Sequence, residues 1–158
     1  MTFSVIDLGS NSIRLSIYEA LKRAPTLLYE EGHLIELGRD LTRTGQLSKR
    51  GLHLAFKALE RFHYITKTFH TTPTLLATEA IRQAQNGPEA IREIEKKFPF
   101  KTKILSGKEE MVLAAQTILF CSPNASGWLA DFGGGSLEIG YLLNGDIIWG
   151  TSLRCKFC

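Results

Sequence analysis

Apolar and polar positions alternate near the start of the chain, where Ile13, Leu15 and Ile17 interleave with Arg14, Ser16 and Tyr18. A period of two predicts a strand there, preceded by a short apolar strand through Phe3, Val5 and Ile6. A further arm is predicted over residues 27–37, after a turn at Ala24 and Pro25. Over 48–70 the period lengthens: Leu52, Ala55, Leu59, Phe62 and Ile65 or Phe69 recur at three- and four-residue steps. That spacing predicts an amphipathic helix, with Ser48 as its cap. Its other side carries Arg50, His53, Lys57, Arg61 and Lys67, read here as a solvated face. Residues 74–78 read as a buried strand, 88–97 as a helix with Pro88 near its first turn, and 101–105 as another strand. A helix over 107–120, opened by Lys108, Glu109 and Glu110, leads to the turn-like Ser122, Pro123 and Asn124. A strand over 128–131, a glycine run and renewed alternation over 137–143 complete an α/β pattern that begins with antiparallel strands.

The start of this pattern recurs at its end. Ile6 to Ile13 (IDLGSNSI) aligns with Ala130 to Leu137 (ADFGGGSL), giving D-x-G-x-x-S twice, each copy between two apolar strands. A strand, a tight turn and a returning strand aim successive backbone N–H groups into the concavity of the turn. Glycine lets an anion approach the main chain, serine adds a donor, and aspartate offers a carboxylate to a metal ion or its water shell. One such segment is as well explained by an ordinary hairpin. Two copies with matching flanks favour a pair of phosphate-binding bends, Asp7, Gly9, Ser10, Asn11 and Ser12 in one and Gly133, Gly134, Gly135 and Ser136 in the other. Each copy is expected to open one of two related domains, 1–124 and 125–158, the second cut short.

Composition adds little and excludes some classes. With 158 residues, 44% of them hydrophobic, the chain is long enough for a genuine core. Nineteen basic against 16 acidic residues is compatible with a polyanionic substrate without demanding one. No apolar run approaches the roughly 18 residues of a membrane helix, so the expectation is a cytoplasmic protein with no membrane and no specific nucleic acid among its partners. Cys121, Cys155 and Cys158 form no spaced framework, and the C-x-x-C of the last two has no second ligand pair for zinc.

Several motifs in order then carry a resemblance. Val5 to Leu15 (VIDLGSNSIRL) and Asp131 to Glu138 (DFGGGSLE) resemble the two phosphate motifs of the exopolyphosphatase and guanosine pentaphosphate phosphohydrolase family. Glu36 to Asp40, Gly45 to Ser48, Ala77 to Gly87 and Leu105 to Glu110 are similar to further blocks of that family, in the same order. The resemblance implies an actin-like ATPase (ribonuclease H-like) domain with a mixed sheet, plus the first strands of a second domain. It implies hydrolysis that releases orthophosphate from the end of inorganic polyphosphate or guanosine pentaphosphate, with Mg2+ as cofactor. Carried onto this chain, Glu110 is the general base for the attacking water and Arg82 the catalytic arginine on the transferred group. Asp131 and Glu138 hold the metal with Asp7 contributing, and the two bends donate to phosphate oxygens. Glu109 is read as structural. Where the family commonly continues Glu-Glu-Ala-Arg-Leu, this chain has Met111, Val112 and Leu113 after Glu110, which removes one basic residue. With the second domain incomplete, an uncovered apolar face from Trp128 to Trp149, homodimerisation or aggregation, and weak turnover are expected. A non-catalytic polyphosphate or nucleotide sensor is the alternative; a sugar kinase or chaperone fragment is disfavoured because those families lack the Ala77 and Leu105 blocks together.

Overall fold

A computed structural model describes residues 2–20 and 25–155. The expected turn at Ala24 and the Cys158 end of the C-x-x-C lie outside the described residues. The chain forms two compact units, Met1–Ile104 and Leu105–Cys158.

The first unit is a five-stranded sheet covered by helices. Strands β1 (Phe3–Leu8), β2 (Ser12–Tyr18) and β3 (Leu27–Leu34) form an antiparallel meander, and β4 (Thr74–Ala77) and β5 (Lys101–Ile104) add in parallel beside β1. The order is β3-β2-β1-β4-β5. Between β3 and β4 run the single-turn α1 (Leu41–Thr44) and the long α2 (Lys49–Thr68). The short α3 (Glu79–Gln83) and α4 (Gly87–Lys97) separate β4 from β5. Alternation does the work expected of it, since Ile6, Leu8, Ile13, Leu15 and Ile17 share one face and are at most 1% exposed. Ala55, Ala58, Leu59 and Phe62 of α2 and Ala90, Ile91 and Ile94 of α4 belong to the same core. Ser48 caps α2 by accepting from the Gly51 N–H at 3.2 Å, and Arg50, His53, Lys57, Arg61 and Lys67 face solvent as predicted. Gly51 is required by packing: a Cβ there would lie 2.7 Å from the Leu37 Cα and 2.9 Å from the Ile35 carbonyl oxygen.

One expectation needs correction. The third arm ends at Leu34 rather than running to residue 37, because Glu36 adopts a left-handed φ of 50° and turns the chain out of the sheet.

The second unit has α5 (Gly107–Cys121) and an antiparallel sheet of β6 (Gly127–Phe132), β7 (Ser136–Leu143) and β8 (Asp146–Arg154), in the order β6-β7-β8. Helix α5 packs on β7 and β8, with Met111 and Ala115 buried against Leu129 and Leu142. The unit boundary therefore falls ahead of this helix, whereas the sequence division at 124/125 placed it after. A two-residue loop, Asn144 and Gly145, both at positive φ (51° and 90°), joins β7 to β8 as a type I′ hairpin. The sheet face away from α5 is apolar and open: Trp128 is 72% exposed and lies tilted against Tyr141 and edge-on to Trp149, with ring centroids 5.0 and 6.0 Å away. The expected uncovered face is thus present on one side only. Among the described residues, no helix is long and apolar enough to cross a membrane.

Candidate functional site

The repeat seen in the sequence is also a repeat of backbone geometry. In the first bend the Gly9 N–H donates to the Ser12 carbonyl at 3.0 Å; in the second the Gly133 N–H donates to the Ser136 carbonyl at 2.9 Å. Both bends join antiparallel strands in matching register, Leu8 opposite Ile13 and Phe132 opposite Leu137. The correspondence extends to the third strand of each sheet, beyond anything the letters suggest. The Ile35 and Glu36 N–H groups that follow β3 donate to the Asn11 carbonyl, and the Cys155 N–H that follows β8 donates to that of Gly135. Each bend is therefore braced from the same side by the chain leaving its sheet. In both, the residue before the returning strand has its carbonyl tied back by a backbone N–H.

Around the first bend the sheet gathers the candidates of its unit. Ser10 is buried, and its carbonyl accepts from the Gly38 N–H at 2.9 Å. A Cβ on Gly38 would come within 3.3 Å of the Ser10 Cβ and 3.7 Å of the Ala80 Cβ, so the bracing loop is wedged between the bend and α3. Strands β1 and β4 end together, Leu8 beside Ala77, and the Thr78 N–H donates to the Leu8 carbonyl. Helix α3 thus starts at the end of β4, beside the end of β1 from which the bend opens. It presents Arg82, whose Nη2 donates to the buried carboxylate of Glu79 one turn earlier. Glu79 was not among the residues singled out from the sequence, although its three-residue spacing from Arg82 on a helix was a readable signal. Asp7 sits across the ladder from Arg14. Its side chain reaches solvent, yet protein crowds it at longer range; that desolvation raises its pKa and the Arg14 charge only partly offsets it.

The candidates of the second unit share one sheet face. Asp131 on β6, Glu138 on β7 and Ser152 on β8 are successive register partners, forming a row across the three strands. Directly paired residues project from the same side, so both carboxylates stand on the face that α5 covers. Glu138 is only 3% exposed and its Oε1 accepts from Ser152 Oγ at 2.7 Å, a partner the sequence reading did not include. Ser136 is buried in the bend beside them. Glu109 and Glu110 take different parts, as expected from their helical positions. Glu109 closes a capping box: its carboxylate accepts from the Ser106 N–H and Oγ at 2.8 and 2.9 Å, while Ser106 Oγ accepts from its N–H. Glu110 follows in the first turn, half-buried, with its N–H donating to the Ser106 carbonyl. The next residue, Met111, lies directly over Gly140 and Gly150 on the face that bears Glu138.

These groups suit a hard cation that keeps part of its water shell. Two carboxylates on adjacent strands offer oxygen ligands, Glu138 is oriented by a serine, and no histidine or thiolate competes in that row. Among the described residues there is no group of three or more His, Cys, Asp or Glu placed to hold a metal ion.

Residues 16–155 match the Ppx/GppA phosphatase family. The chain belongs to that family. It is 26% identical over 147 residues to exopolyphosphatase 1 of Mycobacterium tuberculosis, covering 88% of this chain and 42% of that protein. An exopolyphosphatase from Cytophaga hutchinsonii is similar in structure with a TM-score of 0.89 at 24% identity, over 98% of this chain and 50% of that one. The Ppx/GppA family member of Aquifex aeolicus gives 0.82 at 24% identity, over 97% and 51%. The fold is therefore the actin-like ATPase fold expected from the sequence, with its mixed sheet and antiparallel start. The chain spans about half the length of the Ppx/GppA relatives it matches.

Proposed function

We propose that this chain carries the phosphate-binding and water-activating residues of a phosphatase that removes orthophosphate from the end of inorganic polyphosphate. Guanosine pentaphosphate ends in the same phosphoanhydride and is a second substrate of the same chemistry. The observation that supports this most is the duplicated bend, closed by the same glycine-to-serine hydrogen bond in both units.

The roles follow from the chemistry of the groups. The N–H groups and serine hydroxyls of residues 9–12 and 133–136 donate to phosphate oxygens. Arg82 offers a planar fork to the transferred group, whose negative charge spreads over its equatorial oxygens in the transition state. Glu110 accepts a proton from the attacking water as its oxygen bonds to the terminal phosphorus; the bridging P–O bond breaks and the shortened chain leaves with that oxygen. Asp131 and Glu138 would hold Mg2+. When bound, the ion would supply charge neutralisation on the phosphate oxygens.

Long-chain polyphosphate with Mg2+ and the native chain provides the test. Glu110→Gln is expected to lower phosphate release by roughly 100-fold or more, the usual scale of general-base catalysis, while tripolyphosphate affinity changes little. Release unaffected by the substitution would exclude Glu110 as base. Binding without release in both proteins would favour a sensor that keeps the grip and lacks the chemistry.

A further inference from the structure

Behind the two bends lie equivalent rows of residues with different chemistry. In the first sheet the row is Asp7 on β1, Arg14 on β2 and Gly32 on β3; in the second it is Asp131 on β6, Glu138 on β7 and Ser152 on β8. Each stands one register pair in from the pair that flanks its bend, Leu8 with Ile13 and Phe132 with Leu137. Where the first row sets a guanidinium opposite its aspartate, the second sets a carboxylate, and like charges directly opposite each other repel. Where the first row ends in a glycine with no side chain, the second ends in a hydroxyl. Both differences meet at Glu138, which is 3% exposed and whose Oε1 accepts from Ser152 Oγ at 2.7 Å.

On the middle strand, Glu138 has a row neighbour on either side, Asp131 on β6 and Ser152 on β8. An ionised carboxylate only accepts hydrogen bonds, so the hydroxyl proton of Ser152 is directed at it. That bond draws Oε1 toward β8, the side away from Asp131, and holds the side chain before any ligand arrives. A ligand group already held in place loses less freedom on binding than a free one, which favours the bound state. We propose that Ser152 is a positioning residue for Glu138: it sets the carboxylate that, together with Asp131, receives a divalent cation of the kind that takes hard oxygen ligands. The equivalent position in the first sheet, Gly32, has no side chain with which to do this. The proposal deepens the reading of Asp131 and Glu138 as metal ligands and rests on it.

Mn2+ is the probe, because it suits the same oxygen ligands as Mg2+ and its free aqua ion is counted directly by electron paramagnetic resonance. The full native chain and its variants are titrated with Mn2+ alone, and Mg2+ is then added to displace it. Ser152→Ala is expected to weaken Mn2+ binding by about 10–100-fold, the usual scale when the partner that orients a metal ligand is removed. Glu138→Gln is expected to weaken it at least as much, and adding Ser152→Ala to Glu138→Gln is expected to weaken it no further. Threonine and valine share a branched shape that suits a strand and differ by the hydroxyl, so Ser152→Thr should bind Mn2+ close to native and Ser152→Val should follow Ser152→Ala. Ser152→Ala binding Mn2+ like the native chain, or Ser152→Thr and Ser152→Val binding it alike, would overturn the proposal. Native affinity in Glu138→Gln, or no Mn2+ binding by the native chain, would overturn the reading of Glu138 as a ligand and the proposal with it, a distinct outcome. Should Ser152→Ala lose its fold by circular dichroism, the comparison of Ser152→Thr with Ser152→Val decides.

Discussion

Asp7 and Glu31 are two carboxylates of the first sheet whose surroundings push them in opposite directions. Desolvation raises the Asp7 pKa, with Arg14 pulling the other way more weakly. The folded chain therefore binds that proton more tightly than the unfolded chain does, and stability falls as pH rises from the unfolded pKa through the folded one. Asp7→Asn is expected to raise the melting temperature at neutral pH and to weaken Mg2+–tripolyphosphate binding, seen by thermal denaturation and calorimetry. Glu31 lies at the centre of a network spanning β3 and α2. Arg61 Nε donates to it at 2.5 Å, His33 Nε2 is 2.6 Å away and the Tyr29 hydroxyl donates to its other oxygen. Chiefly through Arg61, its pKa falls from an ordinary 4.5 to about 2. Here the stabilisation is present above about pH 4.5 and is lost as pH falls toward 2. Denaturant unfolding of the native chain should show that acid-side loss, and Glu31→Gln should flatten it.

Among the elements, α2 was read from the sequence, whereas β8 and its hairpin with β7 were missed although a local signal for them was present. Helix α2 is long enough for its apolar stripe to repeat several times, and Ser48 marks its start. The tight joint between β7 and β8 is encoded in Asn144 and Gly145, a pair suited to two successive positive φ angles. Helices α1 and α3, of four and five residues, are too short for a period to be visible. Their existence depends on contacts elsewhere, such as the bond from Thr78 to Leu8. Gly51 shows how closely α2 approaches its neighbours. Gly51→Ala adds helix propensity but forces a methyl against the Leu37 and Ile35 backbone. The expected net result is a loss of about 1–3 kcal/mol in chemical denaturation, since backbone cannot yield as a flexible side chain does.

For the whole molecule, the two units treat equivalent strand faces differently. Ile6, Leu8, Ile13, Leu15 and Ile17 are buried in the core that includes α2, whereas at the matching positions of the second sheet Ala130 and Phe132 are exposed and Leu137, Ile139 and Tyr141 half-buried. With Trp149 and Leu153 this makes an open apolar surface, and association through it is expected. Analytical ultracentrifugation of the chain alone is expected to show concentration-dependent dimers or larger species. Replacing Trp128 and Trp149 by lysine should shift that distribution toward monomer with the circular dichroism spectrum retained. A chain already monomeric at high concentration would show that this surface does not drive association.

What the amino-acid order determined unaided was whatever repeats over short range. A short apolar run marked β1, alternation marked β2 and β7, the three-to-four period marked α2, and the doubled D-x-G-x-x-S announced two related bends. Tertiary structure decided what depends on groups distant in sequence: the bracing of Asn11 by Ile35 and Glu36, the row of Asp131, Glu138 and Ser152, and the packing of α5 with the strands that follow it. The same holds for exposure at equivalent strand positions. A strand carries its own pattern of apolar residues, but whether a helix covers that face is settled by other parts of the fold, because burial is a property of the packed assembly and not of the segment.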